Sequence, residues 1–328
     1  MGDRLFAGID RLNERRLGLL FVVPSLALMA VVAGYPILKA LWLSLHRYNV
    51  KVPGDYAFIG LENYTRILAS SHWWEATFTT VAFTVWSVSF EFVLGLLMAL
   101  VMNRGLGSAT GLVRVAVLVP WATITIVTAL AWKWIFTPTS TFSAINWVMG
   151  LFAEESCMLC ARWTSMAAMV FADTWKTAPF IALLLLAGLQ SIDAEMYEAA
   201  DVDGASAWTK FLRITLPSLK PAILVALLFR TLDSFRMFDL AYVMTNGANK
   251  TETVSVLAYN VLIRRLDIGL GSAMSLLVFA MVLLIAFVFV RVLGATPEGA
   301  EPKPSKREKR AAAAAPALAT TIGVADHG

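Results

Sequence analysis

Apolar residues in this 328-residue chain collect into six long runs, at about residues 17–45, 76–102, 113–136, 165–189, 221–243 and 271–294. Each is near or above the roughly 20 residues that a helix needs to cross about 30 Å of hydrocarbon. An open sheet or irregular chain leaves backbone groups unsatisfied in lipid, so the runs predict six transmembrane helices and an all-α membrane protein. The first run is longer than the ~7–15 residues of a signal-peptide core, and no small-residue cleavage site followed by a soluble domain appears after it. It reads as a span. The chain thus divides into a polar N-terminal segment (1–16), a six-span domain (17–294) and a tail (295–328).

Composition agrees with a bilayer environment: 58% of residues are hydrophobic and 15% charged, against about 45–50% and 25% in soluble domains. The net charge of +4 does not point to nucleic acid, because the basic residues are scattered among spans, loops and tail. They set topology instead, since cytoplasmic loops carry the excess of Lys and Arg. With the N-terminus inside, fifteen of the 27 lie on that side (Arg4, Arg11, Arg15, Arg16, Arg104, Arg114, Lys210, Arg213, Lys220, Arg291 and five in the tail). Seven lie opposite: Arg47, Lys51, Arg66, Arg162, Lys250, Arg264 and Arg265. Both termini and residues 190–220 are therefore expected in the cytoplasm. Past residue 295, Pro, Glu, Lys and a run of Ala bury too little to offset ordering entropy, which predicts a disordered tail.

The segment 190–220 is polar and patterned: Glu198-Ala199-Ala200, then Gly204, then Ile214-Thr215-Leu216-Pro217. Ser191 or Asp193 can cap a short helix through about Val202, and Gly204 permits a turn. A second helix starts near Ser206 and carries Trp208, Phe211, Leu212 and Thr215 at helical spacing, with Pro217 expected to stop it. The result is a helix-turn-helix plug with small side chains that let another surface approach closely. The alternative is an amphipathic loop lying against the bundle or the headgroups.

Charges inside spans are costly and mark function by default. Asp173, Lys176 and Thr177 sit near the middle of the fourth span, Arg230, Asp233 and Ser234 at similar depth in the fifth, and Glu91 in the second. Such groups bond strongly to hydroxyls, and Phe180 and Trp175 offer faces for apolar surfaces. An interhelical ion-pair network is the competing reading. Arg230, Asp233, Arg236 and Asp239 alternate in sign every three residues, but each step turns about 60° around a helix. All four cannot line one pocket unless the helix is distorted, so Arg230 and Asp233 are expected to face it more than Asp239. Lys39 and Lys133 are expected to snorkel. Cys157 and Cys160 form two free thiols or a local bridge rather than a redox site. No metal-ligand set and no phosphate-cradling Gly-x-x-x-x-Gly-Lys-Ser/Thr is evident. No nucleophile-base set supports an enzyme.

Glu198-Ala199-Ala200, Gly204 and Ile214-x-Leu216-Pro217 resemble the signature loop of bacterial ABC-importer permeases. Pro24, Tyr35-Pro36, the stretch Phe58 to Tyr64, Phe235-Arg236-Met237-Phe238-Asp239 and Thr245-Asn246-Gly247 resemble the sugar-permease branch of the maltose-transporter type. Trp175-Lys176-Thr177 through Leu186-Ala187-Gly188-Leu189, with Leu228 to Asp233, look closest to mycobacterial trehalose-importer permeases. The resemblance implies a type I importer permease fold in a bacterial inner membrane, with no catalytic residue and no cofactor of its own. It implies that Glu198, Ala199, Ala200, Gly204, Ile214, Leu216 and Pro217 dock an ATPase dimer that binds ATP and Mg. It also implies a second permease subunit and an extracytoplasmic sugar-binding protein as partners. In permeases of the maltose type the sugar is contacted from the two spans flanking this loop, so the resemblance implies that role for Asp173, Lys176, Thr177, Phe180, Arg230, Asp233, Ser234 and Met237, which fall on those positions, the substrate being a disaccharide such as trehalose or maltose. The opposing class is a secondary transporter whose Glu91, Asp173 and Asp233 carry a coupling ion. That reading leaves the patterned insert unexplained.

Overall fold

A computed structural model describes residues 14–52, 54–104, 107, 110–137, 157–291 and 294. The first span is built from α1 (Glu14–Met29) and α2 (Tyr35–Ser44), joined through a π-helical turn at Ala30–Gly34. A small antiparallel hairpin follows, β1 (His46–Tyr48) with β2 (Tyr56–Phe58), in the register His46↔Phe58. Then come α3 (Glu62–Leu68), α4 (Ser71–Asn103), α5 (Thr110–Ala122), α6 (Thr125–Phe136) and α7 (Arg162–Gln190). The remainder comprises α8 (Ala194–Val202), α9 (Ala207–Lys210), α10 (Leu216–Phe235), α11 (Asp239–Met244), α12 (Val254–Tyr259) and α13 (Ile268–Arg291).

Five of the six expected spans are single helical rods, and the third is not. Its two arms, Gly111–Ala122 and Thr125–Phe136, meet at 85°. Pro120 lies just before the elbow and cannot donate to the helical ladder. The Thr123 hydroxyl caps the loose end by donating to Pro120 O at 2.6 Å, and it lies 2.8 Å from Thr128 Oγ1. The fifth span also differs from expectation. It stops at Phe235, and residues 239–244 form the separate helix α11.

Pro217 does not end the second arm of the 190–220 segment as the sequence suggested. It sits in the first turn of α10, where a missing N–H costs least, and the π-helical turn Phe211–Thr215 before it keeps the chain helical from Ala207 to Phe235. Pro36 follows the same rule, one π turn after Met29.

The bundle is centred on α4 against α7, with α10 packed on both. Gly95 makes this approach possible: a Cβ there would fall 2.7 Å from Ile181 Cγ2 and 3.1 Å from Ala178 O. Around that seam lies an apolar cluster of Ala99, Met102, Ile181, Leu185, Leu189 and Leu219. At the other end of α4, Phe83 packs with Met169, Ala172, Leu240 and Val256. Many large apolar side chains of α1, α2, α5 and α13 remain exposed, as a bilayer or a partner chain would require. The expected tail from residue 295 and most of the N-terminal segment lie outside the described residues.

Candidate functional site

Between α4, α7 and α10 the chain buries a cluster of charge. The Arg230 guanidinium donates from Nε to Glu91 Oε2 at 2.6 Å and from Nη2 to Glu91 Oε1 at 2.7 Å. Nη2 also reaches Asp173 Oδ2 at 2.9 Å, and Nη1 reaches Asp233 Oδ2 at 2.6 Å. Glu91 is fully buried and Arg230 nearly so. Two hydroxyls complete the satisfaction of the carboxylates. Thr177 Oγ1 lies 2.6 Å from Glu91 Oε1, and Ser87 Oγ lies 2.6 Å from Asp173 Oδ2. Uncompensated charge at this depth would be expensive, so each group here is held by the others. The interhelical ion-pair reading is therefore realised, with Glu91 as the group that ties α4 to the other two helices.

Asp173, Thr177, Arg230 and Asp233 of this cluster also wall a cavity of about 310 Å³. It is lined by Thr125, Asp173, Lys176, Thr177, Arg230, Asp233, Ser234, Arg236, Met237, Phe238, Asp239 and Leu240. Seven of the eight residues expected to contact a substrate meet there. Phe180 is not among the lining residues. It stacks on Trp121 at 5.6 Å between centroids, packing α7 against α5. Trp175 likewise meets Trp132 in a T-shaped contact and is not among the lining residues.

Asp239 corrects the angular argument from sequence. Arg230, Asp233, Arg236 and Asp239 all line the cavity, because α10 unwinds after Phe235 and α11 restarts the chain at a new angle. The turn Arg236 N→Asp233 O and Met237 N→Ser234 O closes the helix. Phe238, φ −122° and ψ −60°, leads out of it. Thr125, at the elbow of the third span, was missed for the same reason: a helix break was not visible in an unbroken apolar run.

The cavity mixes donors and acceptors. Asp233 keeps 69% of its side chain exposed while one oxygen is held by Arg230. Ser234 Oγ is buried with no partner among the described residues. Such walls suit a ligand whose every polar atom both gives and accepts hydrogen bonds. Among the described residues no group of three or more His, Cys, Asp or Glu is placed to hold a metal ion.

Lys133 Nζ donates to Val243 O at 2.8 Å, so the ammonium binds a carbonyl in the last turn of α11. Cys157 and Cys160 are joined in a disulfide.

The 190–220 segment lies at the far end of α7 and α10 from the cavity. In α8, Glu198 and Ala199 are exposed and Ala200 half-buried. Asp193 occupies the N-cap position but its side chain makes no capping bond. Gly204 takes φ +71°, a left-handed turn that disfavours any side chain, and Ala205 N closes on Ala200 O at 2.9 Å. Ser206 caps α9 by accepting from Thr209 N at 3.2 Å. The arms are braced by Tyr197 Oη against Thr215 Oγ1 at 2.9 Å and by the Lys210–Asp201 ion pair. Ile214 and Leu216 are half-buried beside the brace, and Pro217 is exposed. Val202 and Trp208, 89% and 67% exposed, leave an apolar surface facing outward.

The chain is similar to known proteins. The chain is 48% identical over 293 residues to the trehalose transport system permease protein SugA of Mycobacterium tuberculosis, covering 89% of this chain and 94% of that protein. It is 41% identical over 283 residues to the trehalose/maltose transport system permease protein MalF of Thermococcus litoralis, covering 85% and 94%. In fold it matches a chain of a bacterial ABC transporter that imports the acidic polysaccharide alginate, with a TM-score of 0.74 at 20% identity over 90% of this chain and 100% of that one. The family described as the inner membrane component of binding-protein-dependent transport systems matches residues 65–295, and the chain belongs to it.

Proposed function

We propose that this protein is the transmembrane permease of an ATP-driven importer for a neutral sugar, a disaccharide of the trehalose or maltose kind. Substrate moves by alternating access. One observation carries the reading: α7 and α10, the two rods that wall the charged cavity, are the same two rods that present the exposed 190–220 turn at their other ends. A push on that turn reaches the cavity through continuous helix. Asp173, Lys176, Thr177, Arg230, Asp233, Ser234 and Met237 contact the sugar, Arg230 being held in place by its carboxylates. The relatives are named for trehalose and maltose, which supports the substrate class. They give no support to an ion-coupled secondary transporter.

The energy comes from a separate ATPase pair that binds ATP and Mg. Glu198, Ala199, Ala200, Gly204, Ile214, Leu216 and Pro217 form or shape its dock, and the apolar Val202 and Trp208 are covered on assembly. A second permease subunit closes the path, and an extracytoplasmic binding protein delivers the sugar. Both termini of the chain lie in the cytoplasm. The chain itself performs no covalent chemistry. Uptake of labelled trehalose and maltose into vesicles holding the assembled importer tests this reading. Uptake should stop with a hydrolysis-dead ATPase partner and persist with a proton uncoupler, and the reverse pattern overturns it.

A further inference from the structure

A second cavity, of about 380 Å³, adjoins the charged one and shares Arg236 and Phe238 with it. Its other walls are Ser255, Ala258, Tyr259, Leu262, Ser275 and Val278, from α12, the turn after it and α13. We propose that this compartment is a second sugar-binding subsite, an aromatic station that holds one pyranose face beside the polar cavity. The proposal rests on the reading of the charged cavity as a sugar site and adds residues to which that reading gives no role.

Three rings converge at the boundary. Phe238 stacks on Tyr242 at 5.1 Å and tilts against Tyr259 at 5.0 Å, while Tyr242 meets Tyr259 edge-on at 5.3 Å. Arg264 fixes the far side of the group, lying over the Tyr242 ring at 5.3 Å and donating from Nη2 to its hydroxyl at 3.0 Å. Both Phe238 and Tyr259 are only half-buried and border the open space. A rigid aromatic wall with its neighbours already packed offers a face at little entropic cost.

The polar complement is beside it. Arg236 stands where α10 unwinds and donates only Nε to Leu232 O among the described residues, at 3.1 Å. Its two Nη groups therefore remain for a ligand on either side of the boundary. Ser255 has no partner among the described residues, and the Ser275 hydroxyl donates to Gly271 O, leaving its oxygen to accept. Apolar rings on one side and a few donors and acceptors on the other match the amphipathic faces of a pyranose. A lipid tail would find no use for Arg236 and the two serines. A second sugar ring would.

Equilibrium binding of labelled trehalose to the assembled importer in nanodiscs tests the subsite, with uptake measured in parallel. Tyr259→Ala should weaken binding about three- to tenfold, the loss of one aromatic face, with sugar-independent ATP hydrolysis unchanged. Tyr259→Phe should keep wild-type affinity. Ser255→Phe, which fills the space without removing a wall, should weaken binding as much and serves if Tyr259→Ala does not assemble. Unchanged affinity in Ser255→Phe or in an assembled Tyr259→Ala, with affinity lost in Asp173→Asn, overturns the subsite and leaves the charged cavity as the sugar site. Loss in the first two with no effect of Asp173→Asn would uphold the subsite and remove the charged cavity from sugar binding.

Discussion

Arg230 grips both oxygens of Glu91, at 2.6 and 2.7 Å, and so binds α10 to α4 across the centre of the bundle. Two N–H groups of a planar fork meeting two oxygens fix direction as well as distance. Around it, Asp173 and Asp233 bring the carboxylates facing this one guanidinium to three.

Removing Arg230 should therefore cost more than removing Glu91. Arg230→Met strands three carboxylates, a loss of about 3–5 kcal/mol. Glu91→Leu leaves the guanidinium on Asp173 and Asp233 and should cost less. Thermal unfolding of the detergent-solubilised protein reads both. An Arg230→Met variant no less stable than Glu91→Leu would show that the network does not act as a unit.

Asp173→Asn and Arg230→Lys should each raise the half-saturating sugar concentration roughly tenfold or more, since a hydrogen bond to a charged group contributes about 1.5–3 kcal/mol. Copurification with partner subunits should be unaffected. Uptake kinetics in vesicles give the first quantity and pull-down gives the second. Wild-type half-saturation in both variants would take the charged cavity out of substrate recognition.

Gly204→Val forces a β-branched residue into a left-handed turn and should strain it by about 1–3 kcal/mol. Glu198→Arg reverses an exposed charge on the neighbouring helix without touching the bundle. Both should lower sugar-stimulated ATP hydrolysis and recovery of the ATPase with the permease, while insertion and sugar binding persist. ATPase recovery at wild-type level in both would place the dock elsewhere.

Lys133→Met keeps the length of the side chain and deletes the ammonium that binds Val243 O. The expected cost is about 1.5–3 kcal/mol at the α6–α11 contact. Hydrogen exchange should rise in residues 239–244 ahead of the rest of the chain. Exchange in residues 239–244 unchanged from the unsubstituted protein would show that the contact contributes little.

Much of this architecture is written in local pattern. Run length placed the spans, and Gly204 with Ser206 placed the turn and the start of the second helix. The depth of Asp173, Arg230 and Glu91 along their runs foretold that they would meet. What escaped was any change of direction inside an apolar stretch. The run 113–136 read as one unbroken span and Phe235 to Asp239 as continuing helix, because hydropathy is blind to bends that neighbouring hydroxyls repair. Pro217 misled in the opposite sense, since a π turn lets a helix run through it. Phe180 was assigned by its aromatic face and its spacing from the loop, and a ring two helical turns from Asp173 found Trp121 instead.

The elbow in the third span has a further consequence. An arm of 12 residues is about 18 Å long, well short of the ~30 Å of hydrocarbon beside it. Neither arm can serve as a wall from one leaflet to the other, yet Val119, Ile124 and Val127 on the two sides of the bend face outward. In the importer proposed above, the crook between the two arms is a place for the second permease subunit to fill.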